Sequence, residues 1–543
     1  MRVPAVRPLP LERSTRRALW ASIVSMSFVA LVSATPQSPF FPVLPSKVEP
    51  WGPLRWISDL VGLNRLDASG LMFVGLLATV AAAVGFVLIL REAWNGRLSL
   101  RAVVILAIAY HALLIFLPLL FSRDVYSYAY YGRILTTYGG NPYVDTPRDF
   151  RINGLFEYTW PGWRGTPSVY GPLFTWISAL MTTVVKSPRS LINGFQLLAA
   201  VASLGTMAIL ARLVGWVRPE RAVFAAAIIG LNPIVVFHVV GGGHNDMLVA
   251  LFVAAAVALL FARREMLSAV ALGLGMSVKA SAVIPLLLLI VVVVAHAEPE
   301  RRAGVLLRYG GVVGAVWLGL ALPFLQAENP TLGLLEVAGH DSWMAPGQLV
   351  VRAFSGIGGL IGGDEFRDPA ASVARIALFA LSATGVVMIG LRLWRDASAR
   401  RPQALVAAWG WALLIVMLPS PVLFTWYLVW ILPLAWALPR VPRRAMVILS
   451  AFFVVTQLVT ESSRLPDVLR TIKLPFGHPI AIAVALWVAR DFIRRLRRNI
   501  PFDAETASHE LADAFESGPR ARESLPAPTG APNPAPAPAM RRR

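Results

Sequence analysis

The sequence predicts an all-α, polytopic membrane protein, and three observations predict it. Apolar blocks near membrane-helix length recur up to about residue 490, with 69–90, 102–121, 222–240 and 285–295 among them. Of all residues, 56% are hydrophobic and 15% charged, where an average soluble domain is about 25% charged. The Lys and Arg residues sit at the ends of the apolar blocks, as a membrane orientation signal requires. With roughly 20 apolar residues per crossing of a core about 30 Å thick, the chain holds about 13–14 transmembrane helices.

Several function classes drop out at once. The chain has no cysteine, so disulfides, thiolate nucleophiles and Cys-based metal sites are excluded. The net charge of +20 is spread over helix ends and not over a basic, aromatic-interleaved domain, so no nucleic-acid partner is expected. No phosphate-cradling Gly loop and no His-Glu-x-x-His spacing is present. No organic cofactor is expected; metal dependence is left open by the residues, although no spacing of carboxylates favours an obligatory ion.

The first block, residues 18–34, follows Arg2, Arg7, Arg13, Arg16 and Arg17. A cleaved signal peptide would have a shorter apolar region of about 7–15 residues, so an uncleaved anchor is expected. Walking the basic residues then gives a consistent alternation. Arg91, Arg97 and Arg101 stand on the inner side, as do Arg212, Arg218 and Arg221. Arg263 and Arg264, Arg301, Arg302 and Arg308, and Arg392 to Arg401 follow. Arg440 to Arg444 and Arg490 to Arg498 close the series.

Two segments need care. Residues 172–185 are apolar but only about 14 long, roughly 21 Å as a helix, and read as interfacial or re-entrant. Between Arg264 and Arg301 the chain crosses twice, through short helices at 267–278 and 281–295 with Lys279 at the outer turn. The expected organisation is a basic cytoplasmic N-terminus over 1–17, a membrane domain over 18–498, and a tail over 499–543. That tail, rich in Pro, Ala, Glu and Arg, is too poor in apolar periodicity to order itself. Both termini are expected in the cytoplasm of a plasma-membrane protein.

The polar residues collect in the outer segments. Residues 122–171 contain Arg123-Asp124-Val125-Tyr126-Ser127-Tyr128, Arg133, Asn141-Pro142-Tyr143 and Tyr170-Gly171-Pro172. Asp124 directly follows a membrane block, where a carboxylate can meet a headgroup and an aqueous acceptor together. Tyr126, Tyr130 and Arg133 would share one helical face. An interfacial aromatic belt with a structural Arg–Asp pair is the simpler alternative. The next cluster is Gly241-Gly242-Gly243-His244-Asn245-Asp246. Asp246 could be no more than a helix N-cap, yet His and Asp at membrane depth are costly unless they serve a function. The upstream Asn232-Pro233 pair reads as a helix bend. Lys279 either snorkels to the surface or binds an anion. His340 and Trp343 stand in a third outer loop without a spacing signature, and Trp426-Tyr427 is either a belt pair or a sugar platform.

On these residues the chain resembles the GT-C-type glycosyltransferases, and among them the actinobacterial polyprenol-phosphate-mannose-dependent α-1,6-mannosyltransferases of the lipomannan pathway. The likeness rests on Arg123 to Tyr128 with Arg133, Asn141-Pro142-Tyr143, Tyr170 to Leu173, Gly242 to Asp246, and Trp426-Tyr427-Leu428-Val429-Trp430. It covers about residues 15–490. Many such relatives continue the first motif with Ala-Ala, where this chain has Ala129-Tyr130. The resemblance implies a GT-C-type helical bundle with catalytic loops on the outer face. It implies Asp124 as general base, with His244, Asn245 and Asp246 lining the same cavity and Lys279 facing a lipid phosphate. The implied donor is a polyprenyl-phosphate sugar and the acceptor a glycan or glycolipid. Inversion by single displacement needs one base and support for the leaving phosphate. The competing expectation is a lipid-linked sugar flippase, which would place its polar groups nearer the bilayer midplane and show repeat halves.

Overall fold

The computed structural model describes residues 12–42, 44, 52–151, 154–326, 345–396, 400–461 and 467–503, with side chains left aside over 457–478. The expected sites at His340 and Trp343, and the 499–543 tail beyond residue 503, lie outside the described residues. Among the described residues every regular element is helical and there is no strand.

The main helices run α1 Arg13–Ser33, α2 Gly52–Leu60, α3 Ala68–Trp94, α4 Leu100–Ile115, α5 Asp124–Tyr138, α6 Pro172–Val184 and α7 Pro188–Val217. They continue as α8 Ala222–Gly230, α9 Asp246–Phe261, α10 Glu265–Met276, α11 Val283–Ala295 and α12 Arg302–Ala321. The last are α13 Pro346–Gly362, α14 Arg367–Arg395, α15 Pro402–Met417, α16 Arg440–Glu461 and α17 Asp467–Arg497. Local chemistry starts several of them. Asp67 Oδ1 accepts from Gly70 N at 2.8 Å, and Ser99 Oγ from Ala102 N at 3.2 Å. Ser187 caps α7 ahead of Pro188. Each side chain satisfies an N–H that has no partner within its helix.

Among the described residues, six helical stretches are long and apolar enough to cross a membrane, and seven shorter apolar stretches of 10–17 residues join them. The apolar helices are therefore uneven in length, and fewer reach spanning length than the roughly 13–14 expected. Where a uniform count of about 20 residues per span imagines rods, several are broken. Residues 219–240 are one apolar stretch, but α8 stops at Gly230 and a π-helical segment, Ile234–Val240, follows. Asn232 makes the break: its Oδ1 accepts from Ile234 N and its Nδ2 donates to Ile228 O.

Burial sorts the helices into layers. Residues 219–240 and α15 are almost wholly buried, whereas α12 and α14 carry exposed Leu307 (74%) and Phe379 (77%). Large apolar side chains standing outward on a helical bundle are the faces that lipid would cover.

The helices also separate two ends. Asp246 opens α9, whose 16 residues span about 24 Å at 1.5 Å per residue, and Arg263 follows its close. Basic connections meet one another at the far end. The Arg221 and Arg443 guanidinium carbons lie 3.2 and 3.9 Å from the centre of the Trp94 ring. Arg400 donates to His296 O at 3.1 Å. The polar motifs gather at the other end.

Candidate active site

The chain turns sharply into α5. Phe121 adopts φ 62, and its N donates to Phe40 O at 2.8 Å. Ser122 Oγ accepts from Asp124 N at 3.1 Å. Asp124 is thus held in the first helical turn, where the helix dipole favours a carboxylate. The helix ends at Gly139, whose φ of 66 suits a left-handed cap.

A second loop brings His244 to Asp124. The loop follows the π-helical segment and is tied down at Gly241, whose carbonyl accepts from Leu120 N at 3.1 Å and from Gln196 Nε2 at 2.9 Å. Gly243 has φ 64, and a Cβ there would come within 2.6 Å of Val125 Cγ2, so the close approach of α5 needs glycine. His244 Nδ1 then lies 3.5 Å from Asp124 Oδ2 and 3.4 Å from the Tyr128 hydroxyl. The imidazole stacks on Trp426 at 3.9 Å and 21°.

Asp246 is fully buried at the start of α9. Asn245 takes the N-cap position without a side-chain cap bond, so neither residue serves as a simple cap. Asp246 Oδ1 instead accepts from Lys279 Nζ and from Trp430 Nε1, both at 2.8 Å. Lys279, 14% exposed, sits 4.5 Å over the Tyr427 ring and 5.5 Å over Trp430. It lies in the turn after α10, as expected, but it is tied to a carboxylate and does not snorkel. The Tyr170-Gly171-Pro172 turn docks on the same strand of chain. Gly171 N donates to Val278 O at 3.0 Å, and Leu173 N to Ser277 O at 2.9 Å.

The electrostatics follow from this packing. Asp124, still 18% exposed, has its carboxyl pushed up to about 6, chiefly by burial and further by Asp246, against the opposing pull of Lys279 and Ser122. His244 is held well below the ordinary imidazole range, first by burial and then by Lys279 and His238. It is therefore neutral beside the carboxylate. Several buried polar atoms here have no hydrogen-bond partner among the described residues: His244 Nε2, Asn245 Nδ2 and Oδ1, and Asp246 Oδ2. Buried groups of this kind are nearly always paired, and a ligand rich in hydroxyls could both donate to and accept from them. Among the described residues no group of three His, Cys, Asp or Glu could hold a metal.

Other expected residues are placed elsewhere. Tyr126, Tyr130 and Arg133 do lie on one helix, but that face meets protein. Tyr126 packs on Tyr158 at 5.1 Å, Tyr130 donates to Phe150 O, and Arg133 donates to Lys186 O at 2.9 Å. Asp124 shares its side of α5 with Tyr128 and Tyr131 instead, at spacings of four and three. The reason is the clamp on the helix: Gly132 lies against the backbone of Ser178 on α6. Asn141 and Tyr143 build the scaffold. Asn141 Oδ1 accepts from Tyr143 N, and the Tyr143 hydroxyl donates to Tyr170 O at 2.7 Å. Tyr170 packs edge-on against Tyr128 at 4.9 Å. Arg123 is half-buried next to Asp124, with Arg164 and Tyr126 in its field. Trp426 and Tyr427 are both buried in the site wall, not set as an outward belt. Tyr128 and Trp430 stand inside the sequence motifs quoted above, but neither is given a role in the site there. Each stands four residues after an expected site residue, Asp124 and Trp426, and that spacing was the available signal.

Comparison with known proteins decides the family. A family model described as "Alpha-(1->6)-mannopyranosyltransferase, N-terminal domain" matches residues 24–296, just over half of the chain. The chain belongs to this family. A second model, "MptB C-terminal domain", matches residues 349–489, so the two matches of this mannopyranosyltransferase family member take in Asp124, His244, Asp246 and Lys279 as well as Trp426 and Trp430. Over 361 residues the chain is 27% identical to alpha-(1->6)-mannopyranosyltransferase A of Mycobacterium tuberculosis, covering 64% of this chain and 66% of that protein. The match thus spans slightly less than two thirds of the relative's length. The enzyme of the same name from Corynebacterium glutamicum is 32% identical over 161 residues, 29% of this chain and 32% of its own. A probable alpha-(1->6)-mannopyranosyltransferase of Mycolicibacterium smegmatis is 30% identical over 144 residues, 25% of this chain and 24% of its own. No solved structure matches.

Proposed function

We propose that this chain is a mannosyltransferase that moves a mannosyl unit from a polyprenyl-phosphate donor to a hydroxyl of a glycan or glycolipid acceptor. The reaction is an inverting single displacement on the outer face of the plasma membrane. Residues 18–498 form the catalytic membrane domain, and both termini are cytoplasmic. The observation that carries the reading is Asp124. It is a partly exposed carboxylate pushed up to about 6, held against a neutral His244 and next to the Lys279–Asp246 pair. The family relatives, named as alpha-(1->6)-mannopyranosyltransferases, support the sugar.

Asp124 takes the acceptor hydroxyl proton as the oxygen attacks C1 of the mannose. The bond from C1 to the phosphate oxygen breaks, and its electron pair leaves with the polyprenyl phosphate. No acid is needed for that leaving group, so one base suffices. A β-linked donor gives an α-linked product. His244 orients the base through Nδ1. The unpartnered atoms of His244, Asn245 and Asp246 meet sugar hydroxyls, and Lys279 with Arg123 supports the developing phosphate charge.

The test uses purified protein, polyprenyl-phosphate-mannose and a mannan-type acceptor. Donor should be consumed and acceptor lengthened, and Asp124→Asn should lower turnover about 10²–10⁴-fold. Undiminished turnover in that variant would overturn the assignment of the base.

A further inference from the structure

A separate cavity lies at the end of the molecule away from Asp124. Two helices fix that placement. α11 leads from the Lys279 turn to His296, which accepts from Arg400. α15 leads from Arg401 back to the 425–430 segment of the site. Here residues 499–503 fold back over the helix ends. Asn499 has φ 52, Arg495 donates to Pro501 O at 2.8 Å, and Trp411 Nε1 donates to Phe502 O at 3.2 Å. Asp503 meets Arg401 at 3.5 Å.

The fold-back forms one side of a half-open cavity of about 720 Å³, through Asn499 and Pro501. Its chemistry is divided. Met388, Leu391 and Leu496 supply an apolar wall, while Arg392, Arg395 and Asp396 supply a charged rim. Arg395 is exposed, and Arg392 donates to Arg495 O at 3.0 Å and lies 5.0 Å over Phe502. Arg495 is already neutralised by Asp491 at 2.9 Å. The rim therefore keeps one net positive charge. The apolar wall does not stop at the cavity. Val387 (57% exposed), Met388 (41%) and Leu391 (51%) continue outward along α14.

We propose that this cavity binds one anionic phospholipid, with its acyl chain along the α14 stripe and its phosphate between Arg392 and Arg395. A free anion would use the two arginines but leave the apolar wall without a partner. A zwitterionic lipid would use the wall but not the net charge. Basic pockets between membrane helices at the bilayer surface hold anionic headgroups by this combination. Nothing in the proposed transfer reaction requires this site.

Delipidated full-length protein would be titrated with phosphatidylglycerol, with phosphatidylcholine and with inorganic phosphate, and bound lipid counted by native mass spectrometry. Wild type should retain one phosphatidylglycerol in preference to phosphatidylcholine. Arg395→Gln, at an exposed position, should weaken that retention about five-fold, and Arg395→Lys should restore most of it. Arg392→Gln should weaken it too, though that change also removes the bond to Arg495 O. Equal retention of both lipids, saturation by inorganic phosphate alone, or unchanged binding in Arg395→Gln would each overturn the proposal.

Discussion

The role proposed for Asp124 carries an acid–base requirement that can be read from solution. Its carboxyl is pushed up to about 6, and the proposed base must be ionised to accept a proton. Transfer should therefore be constant well above that value and fall about ten-fold per pH unit below it. The limb should appear in kcat/KM, which reports the free enzyme. A rate independent of pH between 4 and 7 (about two units below to one above) would contradict the role. Lys279 poses a different question at the same scale. It shares Asp246 Oδ1 with Trp430 Nε1. Lys279→Met leaves a buried carboxylate without its cation, a loss of about 3–5 kcal/mol for pairs broken from one side. The double variant Lys279→Met with Asp246→Leu should recover much of that loss in thermal unfolding, because neither charge is then stranded.

The helices set these residues in register, and the close approaches between elements are made by glycine. At Gly171 a Cβ would overlap the Ser277 carbonyl, so Gly171→Ala must push α6 away from the turn that carries Lys279. A strain of about 1–3 kcal/mol is usual for such overpacking, and here it should also raise KM by moving Lys279. Circular dichroism should show the helices intact while unfolding temperature and affinity fall. Tyr143, whose hydroxyl donates to Tyr170 O, should behave in the same direction when changed to Phe, but more weakly. These contacts explain why helix existence was legible in the sequence while helix faces were not. The α5 pattern allowed Tyr126, Tyr130 and Arg133 to share a face, and they do. Which face looks at the candidate site depends on Gly132 meeting Ser178, a contact between residues 46 apart that leaves no local periodicity.

For the molecule as a whole the decisive issue is sidedness. Basic connections such as Arg221, Arg400 and Arg443 cluster apart from Asp124, His244 and Lys279. The absence of native cysteine makes the test direct. A single cysteine at Trp160, 48% exposed in the 139–171 loop, should react with a membrane-impermeant maleimide on intact cells. One at Arg301, in the basic connection ahead of α12, should react only after permeabilisation. The reverse pattern would put Asp124 on the cytoplasmic side and end the proposed use of an outer-face donor.

The amino-acid pattern by itself determined the all-α membrane architecture, the short helices flanking Lys279 and the grouping of polar motifs between spans. Those properties follow from hydropathy and from the cost of moving Arg across a bilayer, which act on each segment separately. Only the tertiary structure decided that His244 touches Asp124, that Lys279 is paired with Asp246, and that Trp430 and Tyr128 complete the wall. Those pairings join residues from 33 to 184 positions apart. They arise because polar groups buried among apolar helices must find partners in three dimensions, and no local pattern in the chain records which partner each one finds.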